Sequence, residues 1–177
     1  MKKIIAFAGS NSKYSINKQL VTYVASHIKT IDSQVLDLND FELPLYGIDY
    51  EIEHGVPDNA QKFLDLIKSS DGIVLSLAEH NGNYSAAFKN IFDWMSRLDG
   101  KVWNNKPMFL MASSPGGRGG ATVLEIAKNS FPRMGATIVA DFSLPSFQNN
   151  FSEKELLDTD LNDKMNIEIN KFEEAIQ

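Results

Sequence analysis

A chain of 177 residues, 43% of them hydrophobic, is long enough to bury a full core between layers, and nothing in it calls for a second domain. Its net charge of −6 excludes a protein that covers phosphate backbones, which needs a basic face, so any phosphate it holds belongs to a small molecule. The absence of cysteine removes disulfides, thiolate nucleophiles and iron–sulfur clusters together. The start, MKKIIAFAG, places two lysines before an apolar run too short for a signal peptide. No run approaches the ~20 apolar residues of a membrane span, and the cytoplasm is the expected location.

In chain order, residues 4–8 form the first apolar run, and residues 17–28 follow with Leu20, Val24 and Ile28 at helical spacing. A second run covers 35–38. The pattern at 59–67 places Phe63, Leu64 and Ile67 on one helical face, and the third run is 72–77. Residues 83–98 read as a helix, 108–112 as the fourth strand, 122–134 as a helix, 137–140 as a weaker fifth strand and 153–176 as the last helix. Residues 148–163 are polar and acidic and are expected to be loose. The first, third and fourth runs are apolar without alternation, as in parallel strands buried on both faces.

Strict alternation of strand and helix predicts a parallel sheet covered on both sides. Five strands and five helices match a flavodoxin-like three-layer α/β sandwich, strand order 2-1-3-4-5, as one domain over 1–177. Ligands of such sheets bind beyond the strands' carboxyl ends, where the winding reverses between the first and third strands. Attention therefore falls on the loops after Ala8, Ala78 and Ala112.

The first loop, GSNSKYSIN at 9–17, leads into a helix whose first amides lack intrahelical partners. Ser10, Asn11, Ser12, Ser15 and Asn17 add short donors, as a phosphate monoester requires. The alternative is that Ser15 or Asn17 only caps the helix. The loop lacks the Gly-Lys-Ser/Thr ending of a triphosphate loop and the GxGxxG of a dinucleotide fold, so a monophosphate is expected.

The loop AEHNGNY at 78–84 combines a tight turn at Gly82 with the flat rings of His80 and Tyr84, and its amides suit the carbonyls and ring nitrogens of a planar heterocycle. Glu79 and His80 invite an acid–base reading, yet no serine or cysteine nucleophile signature accompanies them, and no catalytic side chain is assigned. His27, His54 and His80 are scattered, and no metal site is expected. In SSPGGRGG at 113–120, four glycines in five positions open the main chain to close approach; a flexible surface turn is the alternative.

These three motifs, with DLNDFELPLYG at 37–47, resemble the NADPH-dependent FMN reductase family, which includes flavin-dependent quinone, azo-dye and chromate reductases. The resemblance spans most of residues 4–120. It implies that Ser10, Asn11, Ser15 and Asn17 hold the FMN phosphate, with Ile16 contributing main chain. It further implies that Glu79, His80, Asn81 and Gly82 lie against the isoalloxazine, and that Ser113, Ser114 and Gly117 border it from the other side. Many relatives carry Pro-x-Tyr-Asn-Gly where this chain has Ala78, His80, Asn81 and Gly82, so the resemblance implies an imidazole beside the flavin in place of a phenol ring.

The implied activity passes hydride from NADPH or NADH through flavin N5 to a small acceptor (quinone, flavin, azo compound or metal oxyanion) in ping-pong order. Arg118 and His80 would meet the pyridine nucleotide; an exposed, solvated arginine is the alternative for Arg118. A flavodoxin-like electron carrier that takes no hydride from NAD(P)H is the competing reading, and a flavin-free scaffold is a third. Phe88, Ile91, Phe92 and Met95, widened by Ala87, Trp94 and Leu98, form an apolar arc broader than the usual ~100°, from which a homodimer or homotetramer packed through the 84–98 helix is expected; deep burial within one subunit, between neighbouring elements, is the alternative.

Overall fold

The computed structural model describes residues 2–29, 31–152 and 155–177. The chain runs β1 (Lys3–Gly9), α1 (Ile16–His27), β2 (Asp32–Leu36), α2 (Ile48–His54), α3 (Asp58–Ser69), β3 (Gly72–His80), β4 (Asn83–Tyr84), α4 (Ala86–Leu98) and β5 (Pro107–Ser113). It continues α5 (Ala121–Ser130), β6 (Thr137–Leu144), α6 (Phe147–Asn150), β7 (Phe151–Ser152), β8 (Glu155–Leu156) and α7 (Thr159–Ile176). The parallel strands lie in the order β2-β1-β3-β5-β6, which is the expected 2-1-3-4-5 winding; β4 adds a short antiparallel partner to β3.

Side chains on successive strand residues point to opposite faces, and both faces here are apolar. Ile4, Ala6, Ala8, Val74, Phe109 and Met111 pack with α1 and α7, while Ile5, Phe7, Ile73, Leu75, Met108 and Leu110 pack with α3, α4 and α5. That even division makes the three layers and explains why these strands read as unbroken apolar runs.

Several boundaries differ from the sequence reading, each for a local reason. The strand expected at 35–38 is β2, and a 3-10 turn at Leu38–Asp40 ends it. The helix expected from 83 starts at Ala86, where Ser85 caps it by accepting from Phe88 N at 3.1 Å. The helix expected to reach 134 stops at Ser130, because Pro132 cannot donate and a 3-10 turn, Phe131–Met134, takes over. The last helix starts at Thr159, capped by Asp158; residues 153 and 154 of the expected span lie outside the described residues. The stretch 148–163 was expected to be loose, yet Phe151 and Leu156 are buried and Phe147 stacks on Phe151 at 4.8 Å. Helix α2 has no buried residue and so no apolar face to announce it.

The apolar arc of α4 is satisfied inside this chain. Phe88, Ile91, Phe92 and Met95 join the core, and the 44–50 segment covers Trp94, whose Nε1 donates to Pro44 O at 2.8 Å between Tyr46 and Tyr50. Asn90 holds the same segment, donating to Pro44 O and accepting from Tyr46 N. The width of the arc thus reflects burial by a neighbouring segment and does not require a partner subunit.

Near the carboxyl end of β2, Lys18 donates to Asp37, whose other oxygen accepts from Asn39 N at 2.9 Å. The Lys18 hydrogen bond, helped by Asn39, holds the Asp37 carboxyl below its ordinary range. A depressed carboxylate contributes stability above its unfolded pKa of ~3.9, and that stability is lost as pH falls through the folded value. Asp37→Asn is expected to cost under ~1 kcal/mol at pH 7 and to shrink the stability lost on acidification, which urea unfolding at neutral and acid pH will measure.

Candidate functional site

Beneath the three loops lies a buried polar floor centred on Asn17, which is 2% exposed. Its Nδ2 donates to Ser113 O at 3.2 Å, and its Oδ1 accepts from Ser113 N at 3.0 Å and Ser76 Oγ at 2.7 Å. Ser113 Oγ donates onward to Leu144 O at 2.9 Å, and Ser85 Oγ donates to Gly9 O at 2.7 Å. The first turn of α1 is therefore locked to β3, β5 and β6. The carboxamide of Asn17 and the hydroxyl of Ser113, expected at a phosphate and beside a ring, are spent on this floor and position the loops above it.

The first loop is held by its own serines. Ser10 Oγ accepts from Ser12 N at 3.2 Å, Ser12 Oγ from Tyr14 N at 3.3 Å, and Ser15 Oγ from Lys18 N at 3.1 Å as the α1 cap. Each of these oxygens accepts, which leaves its O–H proton as a donor. The amides of Ile16 and Asn17, the first two positions of α1, have no acceptor among the described residues. Three hydroxyls, two free amides at a helix start and the exposed Lys13, which has no ion-pair partner among the described residues, form a donor set suited to a phosphate monoester. The capping reading of Ser15 holds together with this one, since the cap uses only the oxygen.

The second loop is a hairpin. Asn81 (φ 52°) and Gly82 (φ 73°) form a two-residue turn between the pairs His80↔Asn83 and Glu79↔Tyr84. Positive φ at both positions is the type I′ geometry for which Asn-Gly is the preferred dipeptide. The N–H groups of Asn81 and Gly82 find no acceptor among the described residues. Glu79 turns aside: its Oε2 accepts from Val123 N, third residue of α5, at 3.0 Å. Tyr84, expected to offer a flat ring to the site, stacks on Phe131 at 6.0 Å and shares a hydrogen bond with Ser130 Oγ at 3.0 Å; burial pushes its hydroxyl pKa up. The hairpin is thus stapled to both ends of α5, leaving His80 as its exposed ring.

Glu79→Ala is expected to free an orphan amide of α5 and cost about 1 kcal/mol, while Glu79→Gln keeps an acceptor and loses less than half of that. Thermal unfolding of the two variants provides the comparison.

In the third loop, Ser146 N and Gly119 N donate to Gly116 O, Phe147 N donates to Ser114 O, and Ser143 Oγ donates to Gly119 O. A Cβ on Gly119 (φ 59°) would come within 2.8 Å of Pro145 N, whereas one on Gly117 would meet nothing within 4 Å. Gly119 is needed by the fold. Gly117 is not, and it leaves open space in front of main-chain amides: the N–H groups of Gly116, Gly117 and Arg118 have no acceptor among the described residues.

Ser10, Ser15, Ile16, Asn17, Glu79, His80, Ser113 and Ser114 meet in one cleft of about 230 Å³, together with Ser12, Tyr14, Ala78 and Pro115. Asn11 lies instead on an adjacent cavity of about 620 Å³ with Leu38–Pro44 segment residues and Asn90 of α4. Asn81 and Gly82 sit at the hairpin tip beyond the cleft lining, and Gly117 and Arg118 line a third cavity beyond β5. Sequence reasoning missed Ser76, because a serine inside an apolar strand has no local signature of the bond it makes. Among the described residues no cluster of three or more His, Cys, Asp or Glu is present, and no helix is long and apolar enough to cross a membrane.

A doubly wound parallel sheet with donor-rich loops at its switch point defines the flavodoxin-like class of α/β proteins. The profile of the NADPH-dependent FMN reductase family matches residues 2–149, and the chain belongs to that family. The quinone reductase of Escherichia coli (strain K12) is 30% identical over 123 residues, 67% of this chain and 63% of that protein. The NADPH azoreductase of Bacillus sp. (strain OY1-2) is 30% identical over 122 residues, 69% of this chain and 64% of that protein. Both matches span less than two thirds of the relative's own length. In structure the chain is similar to FerB, a flavoenzyme NAD(P)H:(acceptor) oxidoreductase from Paracoccus denitrificans, with a TM-score of 0.78 over 99% of this chain and 97% of that one at 23% identity; this is a likeness of fold.

Proposed function

We propose that the chain is an FMN-dependent NAD(P)H oxidoreductase that reduces a small acceptor such as a quinone, flavin, azo compound or metal oxyanion in ping-pong order. One observation carries the reading: the three loops that together line one cleft each carry amides left without acceptors, one set beside hydroxyls at a helix start and two sets in glycine turns. The first set suits a phosphate, and the other two suit the carbonyl edge of a planar ring. When bound, FMN supplies a ring position that accepts and returns hydride.

The residues of this chain bind and position. Ser10, Ser12 and Ser15 donate hydroxyls, Ile16 and Asn17 donate main-chain N–H groups, and Lys13 adds charge to the phosphate. Asn17, Ser76 and Ser113 keep the loops in register from below. The tip amides of Asn81 and Gly82 and those of Gly116 and Gly117 donate where negative charge gathers on reduction. His80 and Arg118 flank the place where nicotinamide and acceptor bind in turn. No side chain is assigned as acid or base. We treat residues 1–177 as one FMN-binding domain working in the cytoplasm.

Mixing FMN-loaded protein with NADPH and with NADH anaerobically in a stopped-flow instrument tests this. Bleaching of the flavin absorbance at rates matching turnover, and acceptor-dependent recovery with parallel double-reciprocal plots, are expected. A flavin that stays oxidised would establish the electron-carrier reading instead, and protein unable to bind FMN would overturn both. Assembly belongs to the same proposal: a homodimer or homotetramer beside the 84–98 helix, its contact drawn from the exposed Leu45, Ile48 and Ile52. A light-scattering mass equal to one chain would remove it.

A further inference from the structure

Beyond β5, on the side of the sheet away from the first loop, lies a cavity of about 370 Å³ lined by Gly117, Arg118, Asp141, Ser143, Lys164 and Glu168, among others. It is of the size that takes half a dinucleotide. Its charges are not balanced within it. Asp141 accepts from Lys128 Nζ at 3.0 Å, and Glu168 accepts from Lys171 Nζ at 2.6 Å and from Asp141 N at 3.2 Å. Both carboxylates are therefore ion-paired, Asp141 through Oδ2 alone. Arg118 donates only to a neutral hydroxyl, Thr122 Oγ1 at 3.0 Å, and Lys164 has no ion-pair partner among the described residues. Two cations are left without a carboxylate partner around one cavity of a chain whose net charge is −6.

Resting on the oxidoreductase reading above, we propose that this cavity binds the 2′-phosphoadenosine half of NADPH. The strand order supplies the first reason. The phosphate-binding donors lie at the end of β1, and β6 is the sheet edge on the other side of β3 and β5, so a dinucleotide running this way carries its anions away from the FMN phosphate. Continuity supplies the second. Gly117 and Arg118 belong to the loop that also brings Ser114 and Pro115 to the central cleft, and the Arg118 amide, the unpaired one not assigned to the flavin, meets a pyrophosphate crossing between the two spaces. The third is chemical. Asp141 and Glu168 have their charge offset by Lys128 and Lys171, so the cations that remain unpaired, Arg118 and Lys164, favour a 2′-phosphate over the neutral ribose diol of NADH. The rival groove along α1 lacks this balance: of its two lysines, Lys18 is paired with Asp37, and Lys13 stands in the loop assigned to the FMN phosphate.

Steady-state kinetics of the FMN-loaded protein test the assignment. Lys164→Gln is expected to raise KM for NADPH about tenfold, the value of one lost charge-assisted contact, with KM for NADH shifted less than twofold. Lys164→Glu should enlarge the difference, and Lys62→Gln, a surface lysine on α3, should leave both nucleotides alone. Direct titration with adenosine 2′,5′-bisphosphate and with AMP gives a readout independent of turnover: the bisphosphate should bind more tightly, and Lys164→Gln should erase the gap. Equal affinity for the two nucleotides, or an NADPH KM untouched by Lys164→Gln in an enzyme that both cofactors reduce, would overturn this subsite while leaving the oxidoreductase reading intact. Failure of either cofactor to reduce the flavin would overturn that reading itself.

Discussion

Replacing Asn17 by alanine is expected to cost about 3–5 kcal/mol of stability, the larger of the two principal effects, because it strands three buried groups at once. Ser76 Oγ loses its acceptor, and Ser113 loses partners for both its N–H and its C=O, in a place where Asn17 is 2% exposed and water cannot substitute. Ser76→Ala removes one bond of the same set together with its hydroxyl and should cost only about 1 kcal/mol. Asn17→Asp replaces the N–H aimed at Ser113 O by an oxygen and buries a charge, so it should be at least as damaging as alanine. Urea unfolding of the three variants orders them. A loss below 1 kcal/mol for Asn17→Ala would mean that the floor reorganises freely and does not lock the loops.

The glycine loop offers a second, two-sided prediction. Gly119→Ala should destabilise the protein by about 2–4 kcal/mol, since the position requires φ > 0 and the new Cβ meets backbone at Pro145 and Leu144. Gly117→Ala should change stability by less than about 0.5 kcal/mol, because its Cβ enters open space. It should nonetheless weaken FMN binding about tenfold by filling the approach to the amides of Gly116 and Gly117. Thermal unfolding of the flavin-free protein measures the first quantity, and quenching of FMN fluorescence on binding measures the second. Unchanged FMN affinity in Gly117→Ala would remove this loop from the flavin site.

Both outcomes bear on what could be read before the fold was known. The parallel core strands were legible because each is apolar on both faces, a pattern that follows from helices lying on both sides of the sheet. The loops were legible because strand order alone dictates where a doubly wound sheet binds its ligands. The hairpin at Asn81-Gly82 carried a plain type I′ signature and reads as a turn, although its returning strand, Asn83–Tyr84, stood inside the stretch assigned to a helix. The roles of individual polar side chains were not legible. Asn17, Glu79 and Ser113 are hydrogen-bonding residues in the right loops, and nothing in their neighbours along the chain tells whether they point up to a ligand or across to Ser76, Val123 or Leu144.

The arc on α4 marks the same boundary between local and distant information. A helix buried by a second segment of its own chain and one buried by another subunit have identical periodicity; only the path of residues 44–50 over Trp94 distinguishes them. Periodicity, capping residues and turn dipeptides act over a few residues, so the order of strands, the layers and the positions of the loops were determined by the sequence read locally. Which donors remain free for a ligand depends on partners 44 to 96 residues away, as for Glu79 with Val123 and Asn17 with Ser113, and only the tertiary structure decides that.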